Sequence, residues 1–428
     1  MLLNTREIST ILISKIYKGD SLERSILLEK NFQRLEGRDK SLVILIVLNT
    51  LRRNGQIDYV ISKLAKKPFK KDSFLKNLLR ISISQILYLD IPHHPIVNIA
   101  VEISKKYGSE KFVNAILRNI CRNKQTILSE TPDHLNIPGW IKKDILDVFN
   151  KKKLEEVASQ IVKEPFIDIK VKKKEFASKD WTKILNGKHI FTNLIRIQES
   201  QNIEKLPYFK EGLWWVQGLS ATLPVTIINN IFKKIVRPTI SILDVGAAPG
   251  GKTLQLMDSG YRVTSLEISK RRIKKLEDNL NRLNFKTKII NKDFLKFKSN
   301  CLFDCILIDA PCSGSGLMQK KPEILIRDKK IQSLVEMQSL MLKKATSLVK
   351  VGGYIIYSIC SILSDEGKNQ IENFLKKQKS FTFENLFGEI KEFGQVINNN
   401  GFITLPSLSN KEGGIDGFFI TCLKRNKL

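Results

Sequence analysis

Asp244-Val-Gly-Ala-Ala-Pro-Gly-Gly-Lys-Thr253 decides the fold of the second half of this chain. An apolar run over 240–245 leads into it and reads as a strand, and a helix is expected after it. A loop of small residues between a strand and a helix lets a ligand approach the backbone closely, and the helix N-terminus favours an anion or a polar group. Six consecutive small or Pro residues, Gly246, Ala247, Ala248, Pro249, Gly250 and Gly251, exceed what a tight turn needs. The loop alone leaves its ligand open. Gly246 through Lys252 and Thr253 satisfies G-x-x-x-x-G-K-T, the phosphate-binding loop of nucleotide hydrolases. Ile306-Leu-Ile-Asp309 would then supply a hydrophobic strand ending in a Mg²⁺-binding Asp.

Outward from this loop, strands are expected at 262–266, 287–290, 303–308 and 353–358, with helices between them, notably 271–283 and 331–348. This alternation predicts a parallel, doubly wound α/β sheet of Rossmann-like type. Glu267 closes the second strand, where a carboxylate accepts both hydroxyls of a ribose. Asp293 follows the third strand, within reach of an adenine or its ribose. Asp309 closes the fourth and runs into Ala310-Pro-Cys-Ser-Gly-Ser-Gly316. Carboxylates at three successive strand ends favour a nucleoside cofactor over a polyphosphate.

Cys312 follows the fourth strand and Cys360 the fifth, so a parallel sheet brings both thiols to one edge. Two thiols beside a carboxylate and a nucleoside suit methylation of a pyrimidine at C5. A thiolate adding to C6 makes C5 nucleophilic enough to take a methyl group from a sulfonium, an acid at N3 assists, and a base then removes the C5 proton. Cys301, Cys305 and Cys422 read as small buried hydrophobes. No second Cys or His cluster accompanies Cys301 and Cys305, so no metal is expected.

The other half of the chain has a different pattern. Roughly the first 130 residues read as all-helical, 123–138 as a linker, and 139–225 as a mixed α+β region with Lys172, Lys173 and Lys174 beside an alternating strand at 167–171. His93 and His94, next to Pro92 and Pro95, read as turn residues. With 428 residues, two or three domains are expected. The net charge of +29 points to a polyanion, nucleic acid ahead of a membrane surface, against a background rich in Lys, Ile and Asn. No run of about eighteen apolar residues predicts a membrane span, and the N-terminus lacks the charged-then-apolar order of a secretory signal. Six scattered Cys predict reduced thiols in a cytoplasmic protein.

These residues resemble a known family. The stretch 244–253, Asp309-Ala-Pro-Cys-Ser-Gly-Ser-Gly316 and Tyr357-Ser-Ile-Cys360-Ser361 look like the signatures of the RNA cytosine-5 methyltransferases, closest to the bacterial small-subunit rRNA enzymes of the Sun/Fmu group. Gly37-Arg-Asp-Lys40, Leu51-Arg52, Leu79-Arg-Ile81, Gln85-Ile-Leu87 and Phe112-Val-Asn-Ala-Ile-Leu-Arg-Asn119 resemble the NusB-type RNA-binding fold that this group carries. Val216-Gln217 and Asp416-Gly-Phe-Phe419 resemble its V-Q segment and its last strand.

The resemblance implies three parts: an all-α NusB-like domain over 1–130, a small α+β region over 139–225, and a Rossmann-like methyltransferase domain over 226–428. It implies S-adenosyl-L-methionine, bound by the residues 246–252, Glu267, Asp293 and Asp309. Cys360 is the implied nucleophile, Cys312 acts in product release, and Asp309 also contacts the base. The implied partner is small-subunit rRNA, met by a monomer without membrane or metal. Arg52, Arg53, Arg118, Arg122, the three lysines from Lys172, and Lys320, Lys321 and Arg327 are candidates for RNA contact. The sequence departs from the family at Gly246 (often Cys), Gly218 (usually Asp), Ile359 (usually Thr) and Gly367 (usually Asn). A tRNA or other rRNA target, a catalytically silent RNA-binding assembly factor, and a nucleotide hydrolase are the competing readings.

Overall fold

The stripe expected around Leu42 to Leu51 folds as the helix Gly37–Arg52, which buries Val43, Ile46, Val47 and Leu51. In this computed structural model, residues 3–65, 69–70, 73–197, 202–233, 240–328, 330–407 and 413–427 are described. The chain divides into two compact units, Met1–Glu164 with Met318–Lys329, and Pro165–Leu317 with Lys330–Leu428. Residues 139–164, expected in the connecting region, therefore belong to the first unit. So does the segment after the Cys312 loop.

The first unit is helical. Thr5–Tyr17, Gly37–Arg52, Phe74–Tyr88, His93–Lys105 and Glu110–Arg122 pack their apolar faces into one core. Asn4 and Ser73 cap two of these helices by accepting from the backbone N–H of Glu7 and Lys76. Arg80, fully buried, forks onto both Asp58 carboxylate oxygens at 2.7 Å, so its charge is paired inside the bundle. The stretch 123–138 is no linker. It forms the helix Lys124–Glu130 and a turn of 3-10 helix, Asp133–Asn136, and the Asn136 and Gln56 side chains are joined at 2.9 Å. His93 and His94 lie in the first turn of a helix rather than in a turn. Pro95, which needs no N–H partner there, permits it.

The second unit holds two sheets. In the smaller, β1 (Ile167–Val171), β2 (Gly187–Phe191), β3 (Leu194–Ile197) and β4 (Trp214–Val216) run antiparallel in the order β2-β3-β1-β4. The larger begins with β5 (Ser241–Val245), β6 (Arg262–Glu267), β7 (Lys288–Asn291), β8 (Phe303–Asp309) and β9 (Val349–Ile359). Their order is β9-β8-β5-β6-β7 and all pairings are parallel. The four strands β10 (Phe381–Phe383), β11 (Gln395–Ile397), β12 (Gly401–Thr404) and β13 (Phe418–Arg425) extend it antiparallel beyond β9. The expected doubly wound sheet is thus present, with an antiparallel edge. The chain leaves β5 for β6 on one side and returns to β8 on the other, so the topological switch lies between β5 and β8, where ligands bind such sheets.

Asp168 on β1 and Arg196 on β3 form a buried pair, 2.6 Å apart, and Asp168 also accepts from the Leu219 N–H. Replacing Arg196 by Ala strands that carboxylate. A loss of about 3–5 kcal/mol is expected, read by urea unfolding followed through the buried Trp181 and Trp214 of the same core. A midpoint unchanged from the parent would refute the assignment.

Candidate active site

Gly246 opens the loop after β5 with φ +79°, a backbone conformation that favours glycine. A Cβ at this position would lie 2.5 Å from the carbonyl oxygen of Asp309, at the end of β8. Glycine therefore lets two strand ends approach where a Cys would push them apart. The loop is held across the sheet by Gly246 and Ala247 N–H groups, both donating to Leu266 O, and by Arg272, which donates to Ala248 O. Beside it is a cleft of about 180 Å³ lined by Val216, Gln217, Asp244, 246–249, Gly251, Lys252 and Asp309. The Gln217 side chain accepts from Trp215 at 2.7 Å and donates to Gln255 at 2.8 Å, which fixes it against Gly251.

The cleft is acidic inside a strongly basic chain. Asp244 is fully buried. One of its oxygens accepts from the Thr253 hydroxyl at 2.5 Å, and the other has no hydrogen-bond partner. Burial pushes its carboxyl up to about 6, with Asp309 and Glu267 adding, against the Thr253 hydrogen bond and Lys252. Lys252 donates to Asp309 at 2.7 Å. Burial pulls the Lys252 ammonium down, but the Asp309 charge and hydrogen bond outweigh it and raise its pKa. Glu267, 1% exposed, accepts from the Ser269 N–H at 2.9 Å, while its other oxygen has only the Arg272 guanidinium, 3.2 Å away, without a hydrogen bond. Asp293 spends one oxygen capping the 3-10 helix Phe294–Lys296.

This arrangement does not suit a polyphosphate. Lys252 is engaged by Asp309, Thr253 is buried against Asp244, and the nearby charges are carboxylates. The phosphate-loop pattern is a coincidence of spelling at Gly246. Carboxylates with unpartnered oxygens suit a ligand carrying hydroxyls and positive charge instead.

The two thiols expected at neighbouring strand ends are brought together. Cys312 Sγ and Cys360 Sγ lie 3.3 Å apart although 48 residues separate them in sequence. The Gly316 N–H donates to Cys360 O at 3.1 Å, and Gly316 is crowded so closely by Gly417 that a Cβ would fall 1.8 Å from its carbonyl oxygen. The hydrogen bond to Cys360, burial, and the charges of Cys360 and Glu366 push the Cys312 thiol well above its ordinary range. Cys312 therefore holds its proton more firmly than an ordinary thiol. Of the other thiols, Cys305 and Cys422 are buried as expected, but Cys301 is exposed. Among the described residues no group of three His, Cys, Asp or Glu could hold a metal ion.

Sequence reading missed three contributors. Asp244 and Gln217 line the cleft, though neither counted among the candidates. Glu366, read only as a neighbour of Gly367, is fully buried between the Cys loops. An acid soon after the nucleophile was the available signal. Several RNA-contact candidates turn out to be engaged by partners within the protein. Arg52 is 5% exposed and reaches Gln319 O. Arg53 pairs with Asp133 at 2.8 Å and lies over the Tyr88 ring. Lys172 donates to Leu283 O at 2.7 Å, and Lys173 to Ser259. Arg118, Arg122, Lys174, Lys320, Lys321 and Arg327 are exposed.

Comparison with known proteins identifies the family. Residues 236–424 match the RsmB/F family of 16S rRNA methyltransferases, and residues 3–122 match the NusB family. The ribosomal RNA small subunit methyltransferase B of Photorhabdus laumondii is 30% identical over 446 aligned residues, covering 99% of each chain. That of Klebsiella pneumoniae is 29% identical over 397, covering 88% of this chain and 90% of its own. The crystal structure of PH0851 shares the fold, with a TM-score of 0.72 at 22% identity, over 99% of this chain and 100% of that one.

Alkylation order follows from the thiol environments. With iodoacetamide at neutral pH, exposed Cys301 is expected to react early. Cys312 should lag because its thiol is held protonated, and Cys305 and Cys422 should react only on unfolding. Peptide mass mapping over a time course checks it; Cys312 reacting with Cys301 would refute the assignment.

Proposed function

As the chain belongs to the RsmB/F family of 16S rRNA methyltransferases, and is thus an S-adenosyl-L-methionine-dependent rRNA methyltransferase, we propose that it methylates C5 of a cytidine in small-subunit rRNA through a covalent Cys360 adduct. The observation that carries this reading is the pair of thiols 3.3 Å apart, at the same sheet edge as the Lys252–Asp309 pair. Two adjacent thiols are one more than nucleophilic attack needs. The second has a task only if the first must be released.

The residues fit the cofactor. Asp244, with an unpartnered buried oxygen, and the glycine loop hold its cationic end, and Glu267 takes ribose hydroxyls; Asp293 completes the set beyond β7. When bound, the cofactor supplies an electrophilic methyl group on a sulfonium. The protein does the remainder. Cys360 Sγ forms a bond to C6 of the cytosine. The Lys252–Asp309 pair holds the base and the proton that N3 takes up. Once Cys360 is consumed in the C–S bond, it no longer offers the charge and hydrogen bond that kept the proton on Cys312. Cys312 then gives up its proton to solvent more easily, and its thiolate accepts the proton leaving C5 as the Cys360–C6 bond breaks, Cys360 leaving as thiolate and N3 returning its proton to the Lys252–Asp309 pair. This orders the two thiols in time by electrostatics alone.

RNA is met by the exposed cations. The helical unit, which matches the NusB family, carries Arg118 and Arg122, and Lys174, Lys320 and Lys321 are exposed as well. A stacked cytosine must be turned out to reach a partly buried thiol.

Cys360→Ala is expected to reduce methylation of deproteinised small-subunit rRNA by at least about a hundredfold. Cys312→Ala should instead accumulate a protein–RNA adduct that survives denaturing gels. Retained activity in Cys360→Ala would sink the reading, and bisulfite mapping of rRNA with and without the protein identifies the base.

The acidic cleft predicts a pH dependence. A cationic ligand favours ionised Asp244, whose carboxyl sits at about 6 without it. Below that pH the ligand must displace a proton, so cofactor affinity should fall about tenfold from pH 7 to pH 5, and Asp244→Asn should flatten the curve. Calorimetric titration across this range tests both, and a flat parent curve counts against Asp244.

A further inference from the structure

Glu366 is fully buried and has no part in the chemistry above. Its carboxylate lies between the two loops that carry the thiols. One oxygen accepts from the backbone N–H of Ser313 at 2.9 Å and from Gln338 Nε2 at 3.1 Å. The other accepts from Ser313 Oγ at 2.6 Å and from Ser361 Oγ at 2.5 Å. Ser313 directly follows Cys312, and Ser361 directly follows Cys360. One carboxylate thus bonds the neighbour of each thiol. Gln338, on the helix Gln332–Thr346, extends the brace by donating to Pro311 O at 2.8 Å, on the other flank of Cys312. Tyr357, near the end of β9, donates to Glu366 O at 2.8 Å and fixes its backbone.

All four groups facing the carboxylate are donors, and a buried carboxylate is tolerable when every lone pair is taken. A neutral amide could keep an acceptor for the Ser313 N–H and for Gln338, but its NH₂ would suit the two hydroxyls only if both turned to accept, which gives up their charge-assisted bonds. The carboxylate therefore binds both loops more tightly than an amide would. That charge also favours the proton on Cys312.

We propose that Glu366 is the positioning residue of the thiol pair. It ties the Cys312 and Cys360 loops together at the separation that adduct formation and release require. The proposal rests on the reading of both thiols as participants in catalysis. Thiols 3.3 Å apart need only a short approach to form a disulfide, so their oxidation rate measures the loop geometry without RNA or cofactor. Diamide takes the two thiol hydrogens, becoming its hydrazine, and leaves one S–S bond.

In the full-length protein, the Cys312–Cys360 disulfide is followed by peptide mass mapping after addition of diamide. Glu366→Gln is expected to slow its formation and to lower kcat, each about tenfold to a hundredfold. KM for rRNA and for S-adenosylmethionine should stay within about twofold. Glu366→Asp, which keeps the charge on a shorter arm, should lose less than Glu366→Gln. A wild-type disulfide rate and kcat in Glu366→Gln would overturn the proposal. If Glu366→Gln fails to fold, by loss of its melting transition, Ser361→Ala removes one strut alone. It should slow the disulfide about threefold or more, and an unchanged rate again overturns the proposal. Retained methylation by Cys360→Ala would instead fault the reading of the thiols, while the disulfide rate continues to report on Glu366.

Discussion

Parallel pairing of β5, β8 and β9 is the constraint on which the site depends. Val245 lies opposite Ile308, and Ile308 opposite Tyr357. This register brings the glycine loop, Asp309 and Cys360 to one edge in a row, although they come from well-separated parts of the chain. Slipping one strand by two residues would keep every side chain on its own face of the sheet. It would still move a thiol by about 7 Å along the edge and separate groups now 3.3 Å apart. The close approaches at Gly246 and Gly316 allow no such slip, because each brings backbone against backbone where even a methyl group has no room.

The charges are sorted by the same fold. The whole chain carries a net charge of +29, yet acids are buried in the catalytic unit. Asp244, Glu267 and Glu366 are all buried there, and Asp309 is half-buried. Each is tolerated for a different reason: Asp244 by a raised carboxyl pKa, Glu267 by Arg272, Glu366 by four donors and Asp309 by Lys252. Part of the positive count is likewise spent inside. Arg52, Arg80 and Arg196 are buried, and Lys172 caps the carbonyl of Leu283. The charge available to RNA is smaller than the composition suggests, and it lies where side chains reach solvent.

The local signals were the legible ones. Strand–helix alternation, the run of small residues and the acids and thiols at strand ends are all set by short-range chemistry, and they located the sheet, the cleft and both cysteines. What was not legible depends on partners distant in sequence. Residues 123–138 look like a linker until Gln56 meets Asn136. Arg53 looks like a phosphate ligand until Asp133 takes it. Residues 318–329 follow the Cys312 loop yet pack with the first unit. Glu366 has only its place soon after Cys360 as a local signal, since its meaning lies in Ser313, 53 residues before it.

The departures from the family pattern find a physical account in packing. Gly367 stands where the family usually has Asn, beside the residue that braces the thiol loops. A Cβ there would come 2.8 Å from the ring of Phe419. Phe419 is buried on β13, and its backbone pairs with Ile359, the other departure, itself fully buried at the end of β9. Gly367 thus leaves room for the ring of Phe419, which keeps the family's last-strand pattern, and Ile359 is accommodated as a buried apolar residue on the neighbouring strand. The four groups bound by the Glu366 carboxylate come from Ser313, Ser361 and Gln338, none of them at a departing position, so the brace between the two Cys loops does not depend on the side chains that differ.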